Sequence, residues 1–138
     1  MQHDRGNGRL SQGRIISIVD DDESVREALE DLVNSLGFVG HSFESAEDFL
    51  GSSHVGDSFC VITDEQMPGM KGHELHRYLR ANGYEMPVIF ITAFPEKYSK
   101  ARGDASNVLA VLEKPFDCGK LIGCLRDAVG REGGRALC

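Results

Sequence analysis

Five short apolar runs are spaced along the chain, and each gives way to polar or charged residues. They are Arg14–Val19, Phe38–Phe43, Phe59–Ile62, Pro87–Thr92 and Val108–Leu112. Short apolar runs rich in β-branched residues and bounded by turn residues read as buried strands. The segments between them carry helical periodicity. From Glu23 to Ser35, the residues Val25, Ala28, Leu29, Leu32 and Val33, followed by Leu36, repeat at helical spacing, and Gly37 stops the helix. Ser45–Leu50 opens on a Ser45/Asp48 pair resembling a capping box. Gly72–Ala81 turns Leu75, Tyr78 and Leu79 inward and closes on Asn82-Gly83. Pro95 to about Arg102 is a weak helix with few apolar residues. Asp117 caps a last helix to about Val129, with Leu121, Ile122, Leu125 and Val129 inward. Strands alternating with helices need right-handed crossovers, which give a parallel sheet covered on both faces. The expected fold class is α/β: a doubly wound, five-stranded parallel sheet with five helices in a single domain.

A chain of 138 residues suits one domain. Residues 14–130 form that domain, between a disordered N-terminal tail at 1–13 and a C-terminal tail at 131–138. A net charge of −7 disfavours nucleic acid or an anionic membrane as direct partner. No apolar run approaches the ~20 residues that span a bilayer, and the polar start MQHDRGNGRLSQG has no signal-peptide core. Cys60, Cys118, Cys124 and Cys138 show no paired spacing and read as free or buried thiols of a cytoplasmic protein.

The residues that end the strands carry the chemistry. The first strand ends on Asp20-Asp21, the third on Asp64, the fourth on Thr92 and the fifth on Lys114. Beyond Asp64, Met67-Pro68-Gly69 turns the chain. With strand order 2-1-3-4-5, the first and third strands meet at the topological switch point, so Asp20, Asp21 and Asp64 converge in one crevice flanked by Thr92 and Lys114. Each residue alone has an ordinary reading: a strand end, a capping acid, a surface lysine. Their joint placement is the signal. Crowded carboxylates repel unless a cation sits among them, and oxygen-only donors suit Mg²⁺. A carboxylate can attack phosphorus, while Lys and Thr can contact phosphoryl oxygens. His73 and His76 lack the HExxH pattern of a zinc helix and read as an exposed helix face, and His3, His41 and His54 carry no signal.

IVDDD at 18–22, TDEQMPGMKG at 63–72, FITA at 90–93 and EKPF at 113–116 together resemble the response-regulator receiver domains of two-component signalling. The likeness covers about residues 14 to 130 and implies a flavodoxin-like fold. It implies Asp64 as phosphoacceptor, accepting a phosphoryl group from a sensor histidine kinase or a histidine phosphotransfer protein. It implies Mg²⁺ held by Asp21, Asp64 and the Gln66 backbone carbonyl, with Asp20 acting through metal-bound water. Thr92 and Lys114 then contact the phosphoryl group, together with the backbone N–H groups of Glu65 and Ala93. The bond Lys114–Pro115 is expected to be cis. Such a domain is not a dedicated enzyme, although it catalyses its own phosphorylation and dephosphorylation. Its output is a change in contacts with a downstream protein partner, and the resemblance allows a dimer through the fourth helix, fifth strand and fifth helix.

Two departures stand out. Asn107-Val108 replaces the usual Gly-Ala before the last strand, and Val111 replaces an aromatic that takes part in switching. Phe94, two residues past Thr92, is the ring placed to take over that space. The alternative class is a Mg²⁺-dependent phosphohydrolase with an aspartyl-phosphate intermediate. Asp20-Asp21-Asp22-Glu23-Ser24 loosely resembles the start of haloacid-dehalogenase-type enzymes.

Overall fold

The computed structural model describes residues 13–95 and 107–137, leaving aside the side chains of 131–137. The strands are β1 (Ile15–Val19), β2 (Val39–Phe43), β3 (Ser58–Asp64), β4 (Val88–Thr92) and β5 (Val108–Glu113). The helices are α1 (Glu23–Ser35), α2 (Ala46–Leu50), α3 (Gly72–Ala81) and α4 (Cys118–Leu137). The strands form one sheet in the order β2-β1-β3-β4-β5, with every pairing parallel. The expected weak helix from Pro95 to Arg102 falls on residues 96–106, and the expected N-terminal tail on residues 1–12, outside the described residues.

Alternation along the strands builds two cores. Ile16, Ile18, Cys60, Ile62, Ile89 and Ile91 face α1 and α4, meeting Leu29, Val33, Leu121 and Leu125. Val19, Val61, Val88 and Phe90 face the other way and meet Phe49 of α2 and Leu75 and Leu79 of α3. Each such side chain fully buried contributes about 1.5–3 kcal/mol, so the two layers fix which face every helix occupies.

The caps follow from local chemistry. The Asp22 carboxylate accepts from the N–H groups of Ser24 (2.9 Å) and Val25 (3.3 Å), opening α1. The Ser45 hydroxyl accepts from the Asp48 N–H at 3.0 Å, and Asp117 accepts from the Lys120 N–H at 3.0 Å. Two expectations are corrected. Tyr78 points outward and is 44% exposed, because Leu75 and Leu79 already fill the inward stripe of α3. Helix α4 runs on to Leu137 instead of ending near Val129. No proline interrupts it, and the glycines there cost only about 1 kcal/mol each.

Register carries the site. Val19 lies opposite Thr63, Asp64 opposite Ile91, and Thr92 opposite Glu113. One residue further along, Asp20, Asp64, Thr92 and Lys114 therefore emerge side by side at the carboxyl end of the sheet. Helix α3 starts hard against this end. A Cβ at Gly72 would lie 2.3 Å from the Asp64 carbonyl oxygen, so only glycine permits the approach. Gly123 is the opposite case, a helix position with nothing within 4 Å of an added Cβ. Gly72→Ala should lower the urea stability by about 1–3 kcal/mol through backbone overpacking. Gly123→Ala should raise it by about 1 kcal/mol. Equal shifts in the two midpoints would contradict the close approach of α3.

Candidate functional site

The three consecutive acids after β1 have three different fates. Asp20 is buried at 1% exposure, Asp21 faces solvent, and Asp22 caps α1. The burial of Asp20 is built locally. Its N–H donates to the Phe43 carbonyl at 3.1 Å, its carbonyl accepts from Arg26 Nη1 at 2.8 Å, and its Oδ1 accepts from the Asp22 N–H at 2.9 Å. Asp64 ends β3 at 4% exposure, with the Gln66 N–H donating to Oδ1 at 3.2 Å.

Carboxylate oxygens of Asp20, Asp21 and Asp64 lie within 4.8 Å of one another. The Lys114 ammonium reaches in from the end of β5, 3.1 Å from Asp64 Oδ2 and 3.2 Å from Asp20 Oδ2. Three negative charges thus face one positive charge in a largely buried crevice, a local excess of two negative charges. Burial pushes the Asp20 carboxyl above the ordinary carboxylate range. The charge of Asp64 adds to that, while the Asp22 N–H and Lys114 pull the other way. Burial alone would lower Lys114, but Asp20 and Asp64 outweigh it and raise its pKa. Asp20 Oδ2 is buried and, despite the nearby ammonium, has no partner in hydrogen-bond geometry. An orphaned carboxylate oxygen within an all-oxygen cluster fits a hard divalent cation, which would use that lone pair and offset the excess charge.

Thr92 is fully buried beside this group. Its carbonyl accepts from the Lys114 N–H at 2.9 Å, and its hydroxyl accepts from the Phe94 N–H at 3.1 Å. The Phe94 ring is 47% exposed at the lip of the crevice. The Lys114–Pro115 bond is cis. The structure therefore brings together Asp20, Asp21, Asp64, Thr92 and Lys114, with Gln66 next to Asp64.

Other contacts escaped the sequence reading. Glu65 is buried at 4% exposure and pairs with His73, whose Nδ1 lies 2.6 Å from Oε2. His76 Nε2 lies 2.8 Å from Asn107 Oδ1, and its ring meets Phe90 edge-on. Neither histidine simply decorates an exposed face. His41 and His54 also meet, with ring centroids 4.1 Å apart. Asn107 does more than occupy a turn: its amide also donates to the Met86 carbonyl at 3.1 Å, and its Oδ1 accepts from Arg80 at 3.1 Å. A buried acid one residue past a strand end is a usable signal for Glu65. The other pairs join residues 13 to 31 positions apart and leave no local pattern.

The family model of the response regulator receiver domain matches residues 16–126. Among curated proteins, the chain is 36% identical over 116 residues to the transcriptional regulatory protein FixJ of Azorhizobium caulinodans, covering 84% of this chain and 55% of that protein. It is 34% identical to the response regulator protein TodT of Pseudomonas putida, covering 83% of this chain and 51% of that protein. The chain thus spans about half the length of these relatives. The solved structure of response regulator StyR superposes with a TM-score of 0.78 at 32% identity, over 89% of this chain and 62% of that one. These matches do not support the phosphohydrolase alternative. The end-of-strand acids, the opposed lysine and the 2-1-3-4-5 sheet sit within the matched span, and the chain belongs to the family of response regulator receiver domains.

Proposed function

We propose that Asp64 is the phosphoacceptor of this receiver domain, and that it takes a phosphoryl group from a phosphohistidine on a sensor kinase or phosphotransfer protein. The observation that supports this most directly is the Asp64 carboxylate, emerging at the sheet end 3.1 Å from the Lys114 ammonium. A carboxylate oxygen attacks phosphorus, the P–N bond to the donor imidazole breaks, and the imidazole leaves with the bonding electrons. In this reading Lys114 and the hydroxyl of Thr92 meet the charge on the transferred phosphoryl oxygens. Asp20, Asp21, Asp64 and the Gln66 backbone carbonyl would hold Mg²⁺, which offsets the charge between the two anions. In this reading the chain is a signalling module of the cytoplasm that promotes its own phosphorylation and dephosphorylation. Its product is an altered surface for a downstream protein, and a dimer through β5 and the helices beside it is one such surface. Among the described residues no helix is long and apolar enough to cross a membrane.

Incubation with acetyl phosphate and Mg²⁺, followed by intact-mass measurement, should show one phosphoryl adduct. Asp64→Asn should show none, and an adduct of normal yield on that variant would refute the assignment.

The charge balance generates a second expectation. The raised pKa of Asp20 means that its ionised form is disfavoured in the folded state, so the buried charge costs stability near neutral pH. Asp20→Asn should stabilise the metal-free protein, since it removes a buried charge whose Oδ2 lacks a hydrogen-bond partner. It should also shrink the stabilisation that added Mg²⁺ provides. Acidification towards the pKa of Asp20 should close the gap between variant and wild type, since protonation removes the same charge. Melting curves with and without Mg²⁺ across pH read all three effects; a variant less stable than wild type without metal would contradict this account.

A further inference from the structure

Glu65 follows Asp64 directly, and its carboxylate is buried. A buried carboxylate needs partners, and this one finds both on a single residue. The His73 N–H donates to Oε1 at 2.7 Å, and the His73 ring Nδ1 meets Oε2 at 2.6 Å. Where that carboxylate is ionised it can only accept, and Nδ1 carries the proton. The backbone is gripped by the same turn of α3: the Gly72 N–H donates to the Glu65 carbonyl at 3.1 Å. That carbonyl belongs to the Glu65–Gln66 peptide unit, whose own N–H points at Asp64 Oδ1 from 3.2 Å. Three hydrogen bonds from Gly72 and His73 therefore fix residue 65, and the rigid peptide plane passes that constraint to the N–H facing Asp64.

The simplest alternative is that Glu65 merely caps α3. Its carboxylate does accept one first-turn N–H, that of His73, and the N-cap residue Lys71 makes no side-chain cap bond. Glu74 Oε1 accepts from the Lys71 N–H at 2.8 Å, within the first turn. The Nδ1–Oε2 contact satisfies no backbone donor of the helix, so that part of the pair is no cap and acts on the loop beyond Asp64. We propose that Glu65 and His73 are a positioning pair for phosphoryl transfer, holding the Glu65–Gln66 peptide so that its N–H faces the reacting carboxylate. The proposal rests on the reading of Asp64 as phosphoacceptor. The two side chains touch neither the phosphoryl group nor the metal ligands' carboxylates; they act through the peptide they hold. Charge that builds on the transferred group is met by donors already in place, and misplacing one such donor slows the step.

The test compares wild type with His73→Ala, Glu65→Ala and His73→Asn, whose amide can stand in for Nδ1–H. Three quantities are read: the rate of adduct formation from acetyl phosphate at saturating Mg²⁺, Mg²⁺ affinity by calorimetry, and the urea midpoint. His73→Ala and Glu65→Ala should slow adduct formation about tenfold, less than outright loss of an oxyanion-type donor. Mg²⁺ affinity should stay close to wild type, and His73→Asn should restore most of the rate. The His73 side chain is 37% exposed, so its truncation carries the test even where Glu65→Ala does not fold. Wild-type rates in the alanine variants would overturn the proposal. So would a loss that His73→Asn shares in full, or one that tracks a loss of Mg²⁺ affinity. A wild-type protein that gives no adduct, or an Asp64→Asn variant that does, overturns the phosphoacceptor reading itself and is recognised separately from these outcomes.

Discussion

Three carboxylates with oxygens within 4.8 Å, against one ammonium, are the constraint on which the rest of the molecule depends. Such a group cannot be held by local sequence, since like charges would move apart in a flexible chain. It is held because each acid sits at the end of a strand whose position is over-determined by packing. Ile16, Ile18, Ile62 and Ile91 bury one face of the sheet, and Val19, Val61 and Phe90 bury the other. A slip of one residue in any pairing would turn both faces inside out. The hydrophobic layers thus supply the free energy that keeps the carboxylates together. The acids, in turn, leave an unmet electrostatic demand at one end of the sheet.

Helix α3 makes a second use of that rigidity. Its first residue has no side chain because the Asp64 carbonyl lies where a Cβ would be. Its second residue, His73, binds the acid that follows Asp64 through both backbone and ring. The far end of the connecting loop is tied separately, by the Glu47 carboxylate accepting from the Met70 N–H at 2.9 Å. The segment from Glu65 to Met70 is therefore anchored at both ends to different helices. Motion there must break a charge-assisted bond, which is stronger than a neutral one.

How much of this was legible in the sequence follows from the range of each interaction. The strands, and the residues that end them at Asp20, Asp21, Asp64, Thr92 and Lys114, were readable because apolar runs and their terminal polar residues are local patterns. The caps at Ser45 and Asp117 were readable for the same reason. Tyr78 was misjudged because helical spacing marks a stripe without saying how wide the sheet beneath it is. His73 and His76 were misread because their partners, Glu65 and Asn107, lie on other elements. The three acids at 20–22 looked equivalent in sequence. Only the turn after β1 separates them into a buried charge, an exposed one and a helix cap.

The two departures from the family pattern have different structural weights. Asn107 replaces a residue without a side chain and uses its amide to tie α3 to the entry of β4, through His76, Arg80 and the Met86 carbonyl. A turn that glycine would leave loose is here cross-linked. Val111 replaces a ring with a stiff, half-buried side chain that lines a groove with Pro95, Lys114 and Pro115. It has one χ angle and cannot swing between buried and exposed positions. The Thr92 hydroxyl accepts from the Phe94 N–H, and Phe94 is 47% exposed. A rotation of the Thr92 side chain would either break that bond or draw the Phe94 backbone along with it. Whatever reorients the Thr92 hydroxyl is therefore felt first at Phe94, the residue that its bond holds.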